Sequence, residues 1–244
     1  MKKLLSLLVV SCMVLGLVAC GNSKQTGKLI MCTNAEFPPY EYKDGGEFVG
    51  IDVEVSKLIA QKLGTEVEIL DIAFDSLIPT VMSDKADFAM AGMTVTEDRK
   101  ENVDFTHTYQ TAVQVVAVPV NSSIASVDDL SGKKIGVQQG TTGDIYCTGD
   151  FGESAIERFP KIVDGFQAMK TGRIDACVVD DQVAKAIVAQ DASSYKILDT
   201  AYAEEEYAIA VKKGNTDLLN KLNKVIDEIK SNGELKAIVD KYIK

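Results

Sequence analysis

The 244-residue sequence has no tryptophan and only one histidine, His107, and its five cysteines follow no zinc-type spacing. A single histidine with no serine or cysteine motif beside it supplies neither a catalytic triad nor a His/Cys metal set. No metal and no cofactor is therefore expected. Basic residues are also in deficit, with 26 Lys and Arg against 36 Asp and Glu and a formal net charge of −10. That balance argues against nucleic acid, whose phosphates are gripped through Lys and Arg, and against an electrostatic hold on anionic lipid. Beyond residue 18 no apolar run is long enough to span a bilayer.

With 46% hydrophobic and 25% charged residues, the chain can bury one large or two small globular cores without staples. At its start, Lys2 and Lys3 precede an apolar run from Leu4 to Val18. This is the layout of a secretory signal peptide over residues 1–19, a retained anchor helix being the alternative. The stretch Leu17-Val18-Ala19-Cys20-Gly21 resembles the lipobox of bacterial lipoproteins. The likeness implies cleavage before Cys20, a lipid on its thiol, and a short tether over residues 20–26. The protein is then expected outside the cytoplasm, held on the outer face of the bacterial cell membrane or in the periplasm. Cys32, Cys147 and Cys177 remain. Buried free thiols are expected for these three, with a Cys147–Cys177 disulfide as the alternative.

Strand and helix patterns alternate along the chain. A strand over 28–33 is followed by the corner Asn34-Ala35-Glu36-Phe37-Pro38-Pro39-Tyr40, where two prolines argue against regular structure. Val55, Leu58, Ile59 and Leu63 recur at helical spacing and Gly64 stops that helix. A strand over 66–72, a helix opened by Phe74-Asp75-Ser76 and a strand over 87–91 complete one α/β unit. Ligands bind such sheets at the carboxyl ends of their strands. Asn34, Phe74 and Gly92 all fall there. The pattern restarts after an apolar strand over 113–120 and yields a second α/β unit, with strands over 134–139, 173–180 and 194–198. A single return strand over 204–212 and two helices then close the chain. The α/β chain is thus expected to form two lobes, residues 27–111 plus 204–244 and an inserted 112–203, joined by two extended crossings at 111–114 and 203–207.

One stretch has the chemistry of an anion cradle. Ala91 to Arg99 packs a bare Gly92 backbone, the hydroxyls of Thr94 and Thr96 and the Arg99 guanidinium into a strand-to-helix corner. Unpaired N–H groups at a helix start and an Arg fork both suit a carboxylate. A second corner of this kind, Gly140-Thr141-Thr142-Gly143, and an acidic strand end at Asp180 repeat the design. Phe37 is read either as a core plug or as a stacking face, and Asp180 either as a helix cap or as a ligand contact.

The segment Gly50 to Leu63, the Gly92-Met93-Thr94 to Arg99 corner, Val103-Asp104-Phe105 and the run Gly136 to Thr142 together resemble the family 3 extracellular solute-binding proteins. The likeness covers about residues 27 to 243. It implies the periplasmic binding protein-like (type II) fold, a free amino acid as ligand, the permease subunits of an ABC importer as partners, and a monomer. It further implies that Arg99 clamps the ligand α-carboxylate with Thr94 and Thr142, and Thr141 is expected among the ligand-binding residues. Gly92 and Asp180 would take the α-ammonium, Phe37 and Phe74 would sandwich the side chain, and Asn34 and Gln138 would read its identity. An amide at Asn34, where relatives for basic ligands often carry aspartate, favours a neutral polar ligand such as glutamine. Glu36 leaves a basic ligand open. Two rivals stand beside this reading. A dehydratase-like enzyme on the same scaffold would need an acid or base from Glu36, Asp180 or Glu204. An amino-acid-sensing ectodomain is expected to carry a transmembrane segment and a signalling domain, neither of which is read between Gly27 and Lys244.

Overall fold

A computed structural model describes residues 27–243. The expectations for the leader, Cys20 and the tether over residues 20–26 lie outside the described residues.

Two sheets carry the α/β chain. In the first, Leu29–Thr33 lies between Val67–Asp71 and Phe88–Ala89 and runs parallel to both. Ala210–Lys212 joins antiparallel to Phe88–Ala89 and holds Val103–Phe105 on its outer side. The second sheet runs in the order Ile156–Phe159, Ile135–Gln138, Ala176–Asp180, Gln110–Pro119, Tyr195–Ile197. Its first three strands are parallel, and Gln110–Pro119 opposes its neighbours.

Two segments cross between the sheets, and they pair with each other. Ala203–Tyr207 runs antiparallel to the start of Gln110–Pro119, from Ala203 opposite Gln114 to Tyr207 opposite Gln110. The return read as one strand over 204–212 is in fact two, because Ala208 and Ile209 carry the chain out of the second sheet before Ala210 enters the first. The proline corner also departs from expectation. Glu36–Phe37, Glu41–Asp44 and Glu47–Val49 form a small antiparallel sheet. Pro38 and Pro39 sit in its turn, where no ladder N–H is needed.

Helices cover the first sheet with apolar stripes. Thr216–Ser231 buries Leu222, Val225, Ile226 and Ile229, the i, i+3, i+4, i+7 spacing of one helix face, and Asn215 caps it by accepting from the Leu218 N–H at 3.3 Å. It packs on Ile51–Lys62, whose Val55 and Ile59 reach the same core. Cys32, Cys147 and Cys177 are free and buried in three separate apolar clusters, so the alternative of a Cys147–Cys177 bond is not formed. Burial pushes all three thiols upward, Cys32 and Cys147 to about 12. His107 lies on the surface, its Nδ1 2.8 Å from Asp227.

Gly50 holds the entry to helix Ile51–Lys62 at φ 121°. A Cβ there would stand 2.2 Å from the Tyr40 carbonyl oxygen, a backbone atom that cannot swing aside. Gly50→Ala is expected to destabilise the protein by about 2 kcal/mol or more, read from urea denaturation. A wild-type midpoint would show that this turn does not govern the helix start.

Candidate functional site

The carboxyl ends of the parallel strands from both sheets meet in one pocket. Asn34 follows Leu29–Thr33, Phe74 opens the short 3-10 turn after Val67–Asp71, and Gly92 follows Phe88–Ala89. From the second sheet come Gln138, at the end of Ile135–Gln138, and Asp180, at the end of Ala176–Asp180. All ten candidates for ligand contact, Asn34, Phe37, Phe74, Gly92, Thr94, Arg99, Gln138, Thr141, Thr142 and Asp180, line this pocket, and Glu41 and Ala91 complete its wall.

Arg99 is buried at the first turn of helix Glu97–Asn102, which Thr96 caps. Its Nη1 donates to the Thr94 carbonyl at 2.6 Å, its Nη2 crosses to the Gly140 carbonyl at 3.2 Å, and the guanidinium lies 5.3 Å from the Phe74 ring centre. Burial works against its charge, and the carboxylates of Glu205 and Asp180 work for it. Opposite stands the start of helix Thr142–Phe151. Thr141 caps it, accepting from the Asp144 N–H at 3.4 Å. Guanidinium and helix start together present donors to one small anion.

Asp180 does not cap the helix that follows it; no backbone N–H of Asp181–Gln190 bonds its side chain. Instead its Oδ2 accepts from the Tyr207 hydroxyl. Burial and the nearby Glu205 hold its carboxyl up at about 7, against the hydrogen bonds from Tyr207 and Gln114. Phe37 is buried, and a Cβ on Gly92 would come within 3.0 Å of its ring, so the glycine is what lets the aromatic wall close.

Other candidates are already engaged. Thr94 spends its hydroxyl proton on Glu205 at 2.9 Å, so its side chain keeps only acceptor capacity. Gln138 Nε2 donates to Asn34 Oδ1 at 2.7 Å and to the Pro160 carbonyl at 3.1 Å, while Asn34 Nδ2 donates to the Ile72 carbonyl at 3.0 Å. These two amides clasp one sheet's loops to the other's. Glu36 pairs with Lys161 at the surface, and Glu204 is exposed.

The most important omissions from the sequence reading are acids. Glu41 is 1% exposed and Asp52 fully buried. Among the described residues neither oxygen of Glu41 has a hydrogen-bond donor, nor does Asp52 Oδ1. Asp52 Oδ2 accepts from the Gly92 N–H and the Tyr109 hydroxyl, each at 2.8 Å. Glu205 accepts from Thr94 and from Gln114 Nε2 at 3.0 Å. In sequence Glu41 opens the polar run Glu41-Tyr42-Lys43-Asp44, Asp52 looks like a first-turn helix acid, and Glu205 sits inside three glutamates. Only the period-two rule for strands, which buries the middle of Glu204-Glu205-Glu206, carried a signal.

Residues 29–244 match the family described as bacterial extracellular solute-binding proteins, family 3. The arginine-binding extracellular protein ArtP of Bacillus subtilis (strain 168) is 38% identical over 252 residues, spanning 99% of this chain and 98% of its own. A mutant of ArgBP from T. maritima superposes with a TM-score of 0.85 at 40% identity, over 90% of this chain and 96% of its own. An ancestral arginine-binding protein solved with glutamine gives a TM-score of 0.85 at 42% identity, over 89% and 98%.

Burial raises Asp180 to about 7 and Asp52 to about 6, whereas unfolded aspartates titrate near about 3.9. Between those limits the folded state carries more protons than the unfolded one, so stability falls as pH rises. The thermal midpoint of the ligand-free protein should be higher at pH 5 than at pH 8, and Asp180→Asn should flatten the difference. A wild-type midpoint that climbs across this window would contradict the assignment.

Proposed function

The chain belongs to the bacterial extracellular solute-binding proteins, family 3, and from that membership we propose that it captures a free L-amino acid with a cationic side chain, arginine foremost, for an ABC importer. It is a substrate-binding protein and not an enzyme, as its family and relatives are. The dehydratase alternative ends there.

In this reading the lobes, residues 27–111 with 204–244 and residues 112–203, shut on the ligand about the paired crossings. Arg99 and the N-terminus of helix Thr142–Phe151 take the α-carboxylate. Asp180 and the Gly92 carbonyl take the α-ammonium, and Phe37 and Phe74 flank the side chain. Micromolar affinity needs about 8 kcal/mol. Charge-assisted hydrogen bonds of about 1.5–3 kcal/mol each, with stacking, supply it once water is shut out. A lipid on Cys20 would hold the monomer near the permease.

One observation carries the choice of ligand: Glu41 stands in the pocket wall, buried, with both oxygens lacking a donor. A buried carboxyl without partners is unfavourable, and a guanidinium brings both donors and the opposite charge. The expectation of a neutral side chain rested on Asn34 and Gln138, and those amides bond each other. The relative ArtP is named for arginine. An ancestral arginine-binding protein has been solved with glutamine and with arginine, which supports placing the decision at the side-chain end of a shared frame.

Calorimetry of the mature protein with L-arginine, L-lysine, L-histidine and L-glutamine tests this. Arginine should bind most tightly and glutamine at least about tenfold more weakly, each tenfold being about 1.4 kcal/mol. Glu41→Gln should narrow that gap, and Arg99→Ala should abolish binding of all four. Glutamine binding more tightly than arginine would return the reading to a neutral ligand. Wild-type affinity in Arg99→Ala would remove the carboxylate clamp.

A further inference from the structure

Glu41 and Asp52 are two carboxyls buried against each other. The Asp52 N–H donates to the carbonyl of Tyr40, the residue before Glu41, at 2.9 Å, and both oxygens of Glu41 and Oδ1 of Asp52 have no donor among the described residues; two buried carboxyls set together without a cation cannot both ionise. The remaining oxygen, Asp52 Oδ2, accepts from the Gly92 N–H and the Tyr109 hydroxyl. We propose that the Glu41–Asp52 pair holds one shared proton in the ligand-free cleft and releases it to solvent when a guanidinium enters, so that capture of a cationic amino acid is proton-coupled in a way that capture of a neutral one is not.

Among the described residues, the titratable groups around the pair are acids and phenols. Asp52 on helix Ile51–Lys62 and Asp180 on the second sheet press on Glu41 with like charge. Tyr40 from its own turn, Tyr109 from the outgoing crossing and Tyr207 from the return are the other titratable neighbours, and Asp181 acts on Tyr40 from the same side as Asp180. Arg99 is turned to Thr94 and Gly140, beside Glu205 and Asp180. Burial first, then Asp52, drives Glu41 well above the usual carboxylate range, and burial holds Asp52 at about 6.

The balance is simple. The guanidinium arrives already charged, one carboxyl O–H bond breaks, its proton passes to buffer, and the two carboxylates then share the positive fork. No other bond changes. The arginine side chain and the departing proton exchange one positive charge, so the buried site keeps its net charge. Asp180, raised to about 7, should lose a fraction of a proton when any α-ammonium binds, so a neutral ligand must serve as the baseline. Citrulline, the uncharged isostere of arginine, reports that share alone.

This inference rests on the cationic reading above, and the experiment separates the two. Titration calorimetry at pH 7 in buffers of different ionisation enthalpy counts the protons released by L-arginine and by L-citrulline. Arginine should release about one proton more. Its affinity relative to citrulline should rise by up to about tenfold per pH unit between roughly pH 6 and 8. Asp52→Asn, whose amide can donate to an ionised Glu41, should remove the excess release while arginine still binds. Equal release by the two ligands overturns the proposal even if arginine binds tightly. Failure of arginine to bind would end the cationic reading instead. The shared proton is then judged by the carboxyl carbon-13 titration of Glu41 in the ligand-free protein: protonated at pH 7 sustains it, ionised at pH 7 overturns it.

Discussion

A guanidinium shut between two sheets is tolerable only if its charge and its donors are both answered, and the architecture of this protein is arranged around that need at Arg99. Its nitrogens donate to carbonyls on both sides of the cleft, Thr94 on one and Gly140 on the other. Phe74 lies along it, and the buried acids Glu205 and Asp180 supply the countercharge. Remove the closure and Arg99 loses Gly140; remove the acids and the closed state carries an unbalanced charge. The site and the closed arrangement of the lobes are therefore stabilised by the same contacts.

The return crossing transmits that dependence. On Ala203–Tyr207, Glu205 and Tyr207 share one face by strand alternation and both are buried. Glu205 accepts from Thr94 in the first lobe's corner and from Gln114 on the outgoing crossing. Tyr207 donates to Asp180 at the end of a strand of the second sheet. A strand that joins the lobes thus also fixes an acid and an acceptor of the ligand site. Asp180 is tied to that crossing through one hydroxyl.

Much of this was legible in the sequence, and the reason is periodicity. The alternation of strand and helix, the loop positions of Asn34, Phe74 and Gly92, and the corners at Arg99 and Thr142 follow from local pattern and from the rule that such sheets bind ligands at strand ends. The crossings at 203–207 and near 111–114 were legible for the same reason. What local pattern could not show is that Glu41 and Asp52 are buried. Glu41 is followed by Tyr42-Lys43-Asp44 in a hairpin whose other polar residues face solvent, and only the packing of Ile51–Lys62 behind it turns the first position inward. Asn34 and Gln138 both line the pocket, yet they stand 104 residues apart in the chain. No spacing rule reveals that they bond each other.

That distinction bears on specificity in this fold. The backbone end of an amino acid is always one carboxylate and one ammonium, so the partners proposed for it, an Arg fork with a helix start and an aspartate, can be read from a motif. The side-chain end varies, and the partner proposed for it here is a carboxyl pair whose effective charge is set by burial and by each other's proximity, quantities that belong to the fold and not to the residue types. Glu41 alone in water would be an anion at neutral pH; against Asp52 and beneath Asp180 it is driven toward the neutral form. The same two residues can therefore present a neutral face to an uncharged side chain and a negative face to a cation. On the proposed reading the pair responds to the ligand's charge, while the aromatic walls set its shape.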